Sequence, residues 1–341
     1  MFFVQMAKKR KNKTKQQPPT RRVGGDYSYQ TPSEAPYYDP SEYSDYYKNT
    51  KRGRKPRKNT QYHPRAKRTV SRGNIPGPVV ILLAVIAGIF LSFSILGAGF
   101  LIVSQPDLPT ELLSKATNSS DKSPFNRDEL AKSAVATKNF SFVDNSQDKL
   151  FLTLYDINAS CKQDGRAKDG APDMGTQIIE GDSNNKAKIQ VIQDNINNSS
   201  ISDQYLLKGN ELNHLNDCYD LANLFKIFLT LFASIGIVLL IVCTYSRGAR
   251  LLGRVLYWSA LGTLLLFIVL GIFAAINFDA FFSGFHQIFF AQGNWQFDPN
   301  CLLICSLPTN FWIAIGVLLL LVEIIICAIL MGIGSLLRRR F

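Results

Sequence analysis

The sequence predicts an all-α membrane domain of four transmembrane helices, with a small α+β extracytoplasmic head and a disordered N-terminal tail. Three observations carry that expectation. Four apolar runs, at 78–103, 224–245, 251–277 and 311–337, each reach the ~20 residues a helix needs to cross a hydrocarbon core. Basic residues alternate from one inter-span segment to the next. The segment between the first two runs is long enough to fold by itself.

The tail covers 1–76. It holds a Lys/Arg/Gln/Pro-rich stretch at 8–22 and a Tyr/Ser/Asp/Pro tract at 27–47. Such composition cannot bury enough apolar surface to offset the entropy of ordering. Its plain reading is a solvated cytoplasmic tail that enforces topology; the sharper ones are basic residues that contact anionic lipids or RNA binding through mixed aromatics and arginines. No specific nucleic acid is expected as a partner, and His63 is assigned no role. The membrane domain then occupies 77–341. The first span begins too far into the chain for a cleavable signal peptide.

Charge sets the orientation. Residues 1–77 carry 19 Lys+Arg against 5 Asp+Glu, the connector after the second span holds Arg247, Arg250 and Arg254, and the C-terminus holds Arg338, Arg339 and Arg340. Basic flanks stay cytoplasmic, which places both termini there. The head, 104–222, has 12 Lys+Arg against 18 Asp+Glu, and the second outer loop, 278–310, has no Lys or Arg. Both therefore face outward, and the protein is expected in the plasma membrane. The formal net charge of +12 averages these unlike sides.

Within the head, Ser123 or Asn126 with Pro124, Asp128 and Glu129 marks a helix start, running to about Asn139. The alternation of Leu150, Leu152 and Leu154 with Phe151, Thr153 and Tyr155 predicts a strand over 149–157. Segments 176–180 and 186–193 flank a polar turn and predict a hairpin. Loops are expected at 165–175 and 194–202. Asn210 is expected to cap a helix that continues into the second span.

Candidate chemistry centres on two of the three histidines. Histidine moves protons near neutral pH better than any other side chain. His214 precedes the second span, with Asp217 and Cys218 on its helical face at i+3 and i+4. Asp217 is read as orienting the His214 ring, with a juxtamembrane polar pair as the plain alternative. His286 lies in an aromatic, nearly uncharged loop that continues through Asn294, Trp295, Asp298 and Pro299. Apolar surroundings favour a neutral imidazole, the form a base or nucleophile needs.

These motifs in order, His-x-x-Asp before the second span and Phe-His-x-x-x-Phe followed by Asn-Trp-x-x-Asp-Pro, resemble those of the four-pass lipoprotein intramolecular transacylases. The resemblance covers 78–337. It implies an enzyme that takes a bacterial lipoprotein bearing a diacylglyceryl thioether on its N-terminal cysteine. The sn-2 acyl chain passes from glycerol to the cysteine amine and leaves a lyso-form product. The family's essential histidines correspond to His214 and His286, and no cofactor or metal is implied. The partners are then that lipoprotein, or another acylated lipid, and the membrane lipids. Cys218, a polar insertion at 156–200, and Cys301 with Cys305 depart from the family pattern.

Under that reading His286 is the base or nucleophile and His214 its proton-transfer partner, or the reverse. Asn294 or a backbone N–H donates to the oxyanion, while Trp295 and Asp298 position the loop. Glu323, mid-way along the fourth span, is functional by default, or else protonated and bonded to Thr230, Thr244 or Thr263. Lys226 snorkels at a span end. Cys161, Cys218, Cys301 and Cys305 leave one or two disulfides open. Two lesser readings are a Cys218/His214 nucleophile and a two-histidine zinc site with Asp217 or Asp298. The competing function is a non-enzymatic four-pass scaffold or adhesion protein. An enzyme must bring His214 and His286 within ~10 Å, since proton relay needs near contact; a scaffold need not.

Overall fold

A computed structural model describes residues 75–340, which form ten α-helices, one 3₁₀ turn and, among the described residues, no strand. The tail expected at 1–76 lies outside the described residues except for its last two. Four helices are long and apolar enough to cross a membrane: α1 (Gly77–Ser104), α6 (Gly209–Arg247), α7 (Ala249–Ile276) and α10 (Thr309–Arg340). The four predicted runs fall almost entirely within them.

These helices leave large apolar side chains outward, among them Ile81, Leu82, Val85, Ile241 and Val269. Lipid tails are as apolar as those side chains, so helix association must come from close packing rather than from water. Small residues supply it. A Cβ added at Gly253 of α7 would lie 2.6 Å from the carbonyl oxygen of Gly334 in α10, and one added at Gly334 would lie 2.7 Å from that of Gly253. The two backbones touch there. Ala84, Ala87, Ala260, Cys243 and Cys327 are likewise buried between helices.

The head is helical, which corrects the expected α+β cap. It comprises α2 (Asp107–Thr117), α3 (Arg127–Phe142), α4 (Gln147–Gln163), the 3₁₀ turn Asp182–Asn184 and α5 (Asn185–Ile196). The start of α3 is as the sequence predicts. Asn126 Oδ1 accepts from the N–H groups of Asp128 and Glu129, and the Glu129 carboxylate accepts from the Asn126 N–H. That reciprocal box satisfies otherwise orphaned donors.

The predicted strand is α4. Its buried residues are Leu150, Phe151, Leu154, Tyr155, Ile157, Asn158, Ala159 and Cys161, a spacing that repeats every three to four positions. The apparent alternation arose because both alternating sets are apolar, so a period of two and one of 3.6 overlap over nine residues. Ser146 caps the helix by accepting from the Lys149 N–H, a stop-start signal that no strand needs. The second arm of the predicted hairpin falls in α5, which buries Ile192 and Ile196 one turn apart.

The connector between α7 and α10 begins as α8 (Phe278–Phe289) and ends as α9 (Leu302–Ser306). Its end is built into the head. Leu302 N–H donates to the Asp203 carbonyl at 2.8 Å, Ser119 N–H to that of Cys305 at 3.0 Å, and Ser114 Oγ to that of Ser306 at 2.8 Å. Cys301, Leu302, Leu303, Cys305 and Phe311 share one apolar core with Phe125, Leu154, Tyr155 and Leu206. Both long connectors therefore sit at one end of the bundle. All six cysteines are unpaired, so neither disulfide left open by the sequence is formed.

Candidate active site

Helix α6 has 39 residues, a length of ~58 Å at 1.5 Å per residue. The hydrocarbon core is ~30 Å thick, so the helix overshoots it. The surplus is polar: Asn210, Glu211, Asn213, His214, Asn216, Asp217 and Asp220 all precede the apolar run at 224. These first turns stand outside the membrane-spanning stretch. The helix starts at Gly209 rather than after Asn210, and the Glu211 carboxylate accepts from the Lys208 N–H in place of the expected Asn210 cap.

Helix α8 is short and strongly two-sided. Asn277 Oδ1 caps it by accepting from the Ala280 N–H at 2.9 Å. Ile288, Phe285 and Phe289 face outward, while His286 is its buried residue. Turning that face inward carries His286 onto the exposed end of α6. The rings of His214 and His286 lie 5.9 Å apart, centroid to centroid, and stack at 28°.

An aromatic box encloses the pair. His286 sits between Phe282 at 4.1 Å and Trp295 at 4.9 Å, and His214 lies 4.8 Å from Phe290 and 5.6 Å from Phe297. Burial lowers the pKa of both imidazoles. His214, pressed further by the neighbouring His286, is pushed down to about 4 although Asp217 and Asn294 oppose the shift. For His286 burial outweighs the hydrogen bond to Phe282. Burial thus favours the neutral form of both rings.

The tautomer of His286 follows from its partner. Nδ1 lies 2.8 Å from the Phe282 carbonyl oxygen. A carbonyl oxygen only accepts, so Nδ1 carries the hydrogen and Nε2 keeps the lone pair. His214 Nε2 lies 3.6 Å from Cys218 Sγ, and its Nδ1 is buried without a partner. Burial, with Asp217 adding to it, raises the Cys218 thiol to about 12. The thiol therefore stays protonated, which argues against its reading as the nucleophile.

Asp217 does not hydrogen-bond His214, as the sequence reading expected. Its Oδ2 accepts from Asn294 Nδ2 at 2.7 Å and from Gln292 Nε2 at 2.9 Å. The carboxylate clasps the second outer loop onto α6. Gly293, between the two donors, has φ +77° and donates its N–H to the Phe290 carbonyl. That backbone shape suits glycine, and it turns Gln292, Asn294 and Trp295 back toward the histidines. Asn294 Oδ1 is left without a partner beside His214.

The structure thus gathers His214, His286, Asp217, Asn294 and Trp295. Asp298 lies apart from them and is exposed; its carboxylate accepts from the Asn300 N–H, and its carbonyl from the Cys301 N–H at the entry to α9. Glu323 also lies apart, fully buried against Gly99 of α1, with neither oxygen hydrogen-bonded. Thr230, Thr244 and Thr263 do not bond it. Each donates instead to the carbonyl four residues before it. Lys226 reaches the Phe142 carbonyl at the end of α3. Among the described residues no group of three or more His, Cys, Asp or Glu side chains is placed to hold a metal ion. Sequence reasoning missed Gln292, the Phe282 carbonyl and Phe297. The glycine beside Gln292 was the available signal.

An open hollow of about 350 Å³ is lined by Gln287, Phe290, Ala291, Gly293, Trp295 and Gln296. Phe290 and Trp295, which contact the imidazoles, form part of its wall.

Residues 171–312 match the family model of the lipoprotein intramolecular transacylase Lit. The matched stretch holds both histidines, Asp217, Asn294, the whole of α8 and the whole of α9. It leaves out α1 to α4 and most of α10. The chain resembles that family over this stretch, which is narrower than the one its motifs imply. Together with four membrane-length helices, the match points to a membrane protein that resembles this family over that stretch. No curated protein and no solved structure matches the chain.

Proposed function

We propose that this protein is a membrane acyltransferase that moves an acyl chain from the glyceryl ester of a lipoprotein to its N-terminal cysteine amine. The observation that carries this reading is the stacked pair of neutral imidazoles, with His286 Nδ1 committed to a carbonyl and Nε2 therefore basic. A scaffold gives no reason for two histidines from distant stretches of chain to meet inside an aromatic box.

The reaction needs a neutral amine, an ester carbonyl beside it and a proton for the departing glycerol oxygen. His286 Nε2 takes a proton from the attacking nitrogen. The nitrogen bonds the acyl carbon, the carbonyl oxygen becomes an oxyanion, and the C–O bond to glycerol breaks as that oxygen receives the proton. His214 is the second proton carrier, and Trp295 holds the His286 ring. One N–H of Asn294 Nδ2 is spent on Asp217; its second N–H, or a backbone N–H, is the oxyanion donor. Because both reacting groups belong to one molecule, orientation contributes most, up to ~7–11 kcal/mol in favourable intramolecular cases.

In this reading the head and α8 face outward, both termini are cytoplasmic, the membrane domain is 77–341, and the basic tail contacts anionic lipid. The apolar edge of α8, at Phe285, Ile288 and Phe289, then rests in the outer leaflet. The test is His286→Ala in the purified full chain, given a synthetic diacylglyceryl lipopeptide and followed by mass spectrometry. General acid–base catalysis contributes ~10²–10⁴-fold, and lyso-form product should fall by that order. Unchanged output would remove His286 from the chemistry.

A further inference from the structure

The carboxylate of Asp217 is half used. Two neutral amides from the second outer loop, Gln292 and Asn294, hold its Oδ2. Among the described residues no donor meets Oδ1 and Asp217 joins no ion pair. The loop that covers it, 278–310, contains no Lys or Arg to neutralise it. One turn earlier on the same helix is His214, 7% exposed, with Nδ1 unpartnered. A carboxylate partly out of water, fixed in place yet lacking a counter-charge, is a site waiting for a cation. The imidazoles beside it are neutral and do not supply one.

We infer that Asp217 Oδ1 is the docking point for a primary ammonium on the substrate, set one helical turn from the proton-accepting imidazoles. The inference rests on the transacylase reading and deepens it. An α-amino group is mostly protonated near neutrality, with an ordinary pKa of about 7.7–8.0, so a lipopeptide arrives as R–NH₃⁺. Bound to Asp217, it gives one proton to an imidazole, which passes it to solvent. The resulting amine attacks the ester, and the second proton lost from nitrogen goes to the departing glycerol oxygen. Ammonium and ester thus become amide, alcohol and one released proton. Two proton carriers are needed, and two histidines are present. Gln292 and Asn294 are positioning residues: they keep Oδ2 occupied and turn Oδ1 to the substrate.

The test measures binding, so it does not depend on turnover. Full-length protein in lipid nanodiscs is titrated with a diacylglyceryl lipopeptide carrying either a free or an acetylated N-terminal amine. A hydrogen bond between charged partners predicts about 10–100-fold tighter binding of the free amine by the unaltered protein. Asp217→Asn should erase that preference while leaving affinity for the acetylated form unchanged, which also reports an intact fold. Asp217→Glu should restore part of it. Gln292→Ala, which keeps the carboxylate, should retain a preference. Equal binding of the two lipopeptides by the unaltered protein, or an undiminished preference in Asp217→Asn, overturns the ammonium site. Preference without any lyso-form product keeps the site and sinks the transfer reading. Product formation with no effect of Asp217→Asn does the reverse.

Discussion

The head and the membrane bundle of this protein are both helical, yet they are held together by opposite means. The head hides its large side chains: Phe125, Leu130, Phe151, Leu154, Tyr155, Tyr205 and Leu206 are all nearly or fully buried. Removing that area from water supplies its stability. The bundle hides glycines, alanines and cysteines and turns its large side chains outward. Its solvent is hydrocarbon, so what counts is how closely backbones approach. One chain thus uses volume where there is water and the lack of volume where there is lipid.

The sharpest way to break that contrast is to put volume into the bundle. Gly253→Leu must force α7 from α10, because even a Cβ there overlaps the Gly334 carbonyl. Overpacking ordinarily costs ~1–3 kcal/mol, and backbone contact raises the cost. We expect the variant to be lost from the monodisperse fraction in detergent, read by size-exclusion chromatography. Next in size is removal of volume from the head. Leu154→Ala should cost ~2–5 kcal/mol, read as faster protease cleavage of the head in the full chain. The matched change on the bundle surface, Ile81→Ala, should move stability by less than ~0.5 kcal/mol. Equal effects from the two would erase the distinction.

The smallest effect is in pH. Burial alone would raise the pKa of Glu129, but the Arg166 guanidinium, Ser160 and the Asn126 N–H outweigh it and hold the carboxyl below its ordinary 4.5. A depressed carboxyl stabilises the fold above the unfolded value, and that contribution fades as pH falls through the folded one. Acidification below about pH 4.5 should therefore loosen α3 and α4 in the head while leaving bundle helicity intact. Hydrogen exchange at pH 5 and pH 3 checks this, and simultaneous loosening of both would contradict it.

What the sequence revealed follows the same division. The spans were legible because lipid demands long apolar runs and nothing else resembles them. The polar start of α6 was legible within a residue or two from the capping signal near Asn210, while α10 runs on to Arg340, past the apolar run that ends at 337. That His214 and His286 would come together was legible in their matching juxtamembrane positions, and their rings stack. The head was misread at 149–157, where Leu150, Phe151, Leu154 and Tyr155 fit two periods at once. Only the Ser146 cap distinguishes them. Asp217 was read as the His214 orienter, whereas its Oδ2 accepts from Gln292 and Asn294. Helical spacing places Asp217 one turn from His214, but the loop from 290 to 294 claims its oxygen, and no local pattern foretells that tertiary contact.

The strand of chain between α8 and α10 is anchored twice, by the third span at its start and by the head's interior at its end. His286 therefore has no independent freedom. Its position is set by whether Leu302, Cys305 and Phe311 are seated among the helices above. Loss of the head's packing would therefore also release the segment of chain that follows His286.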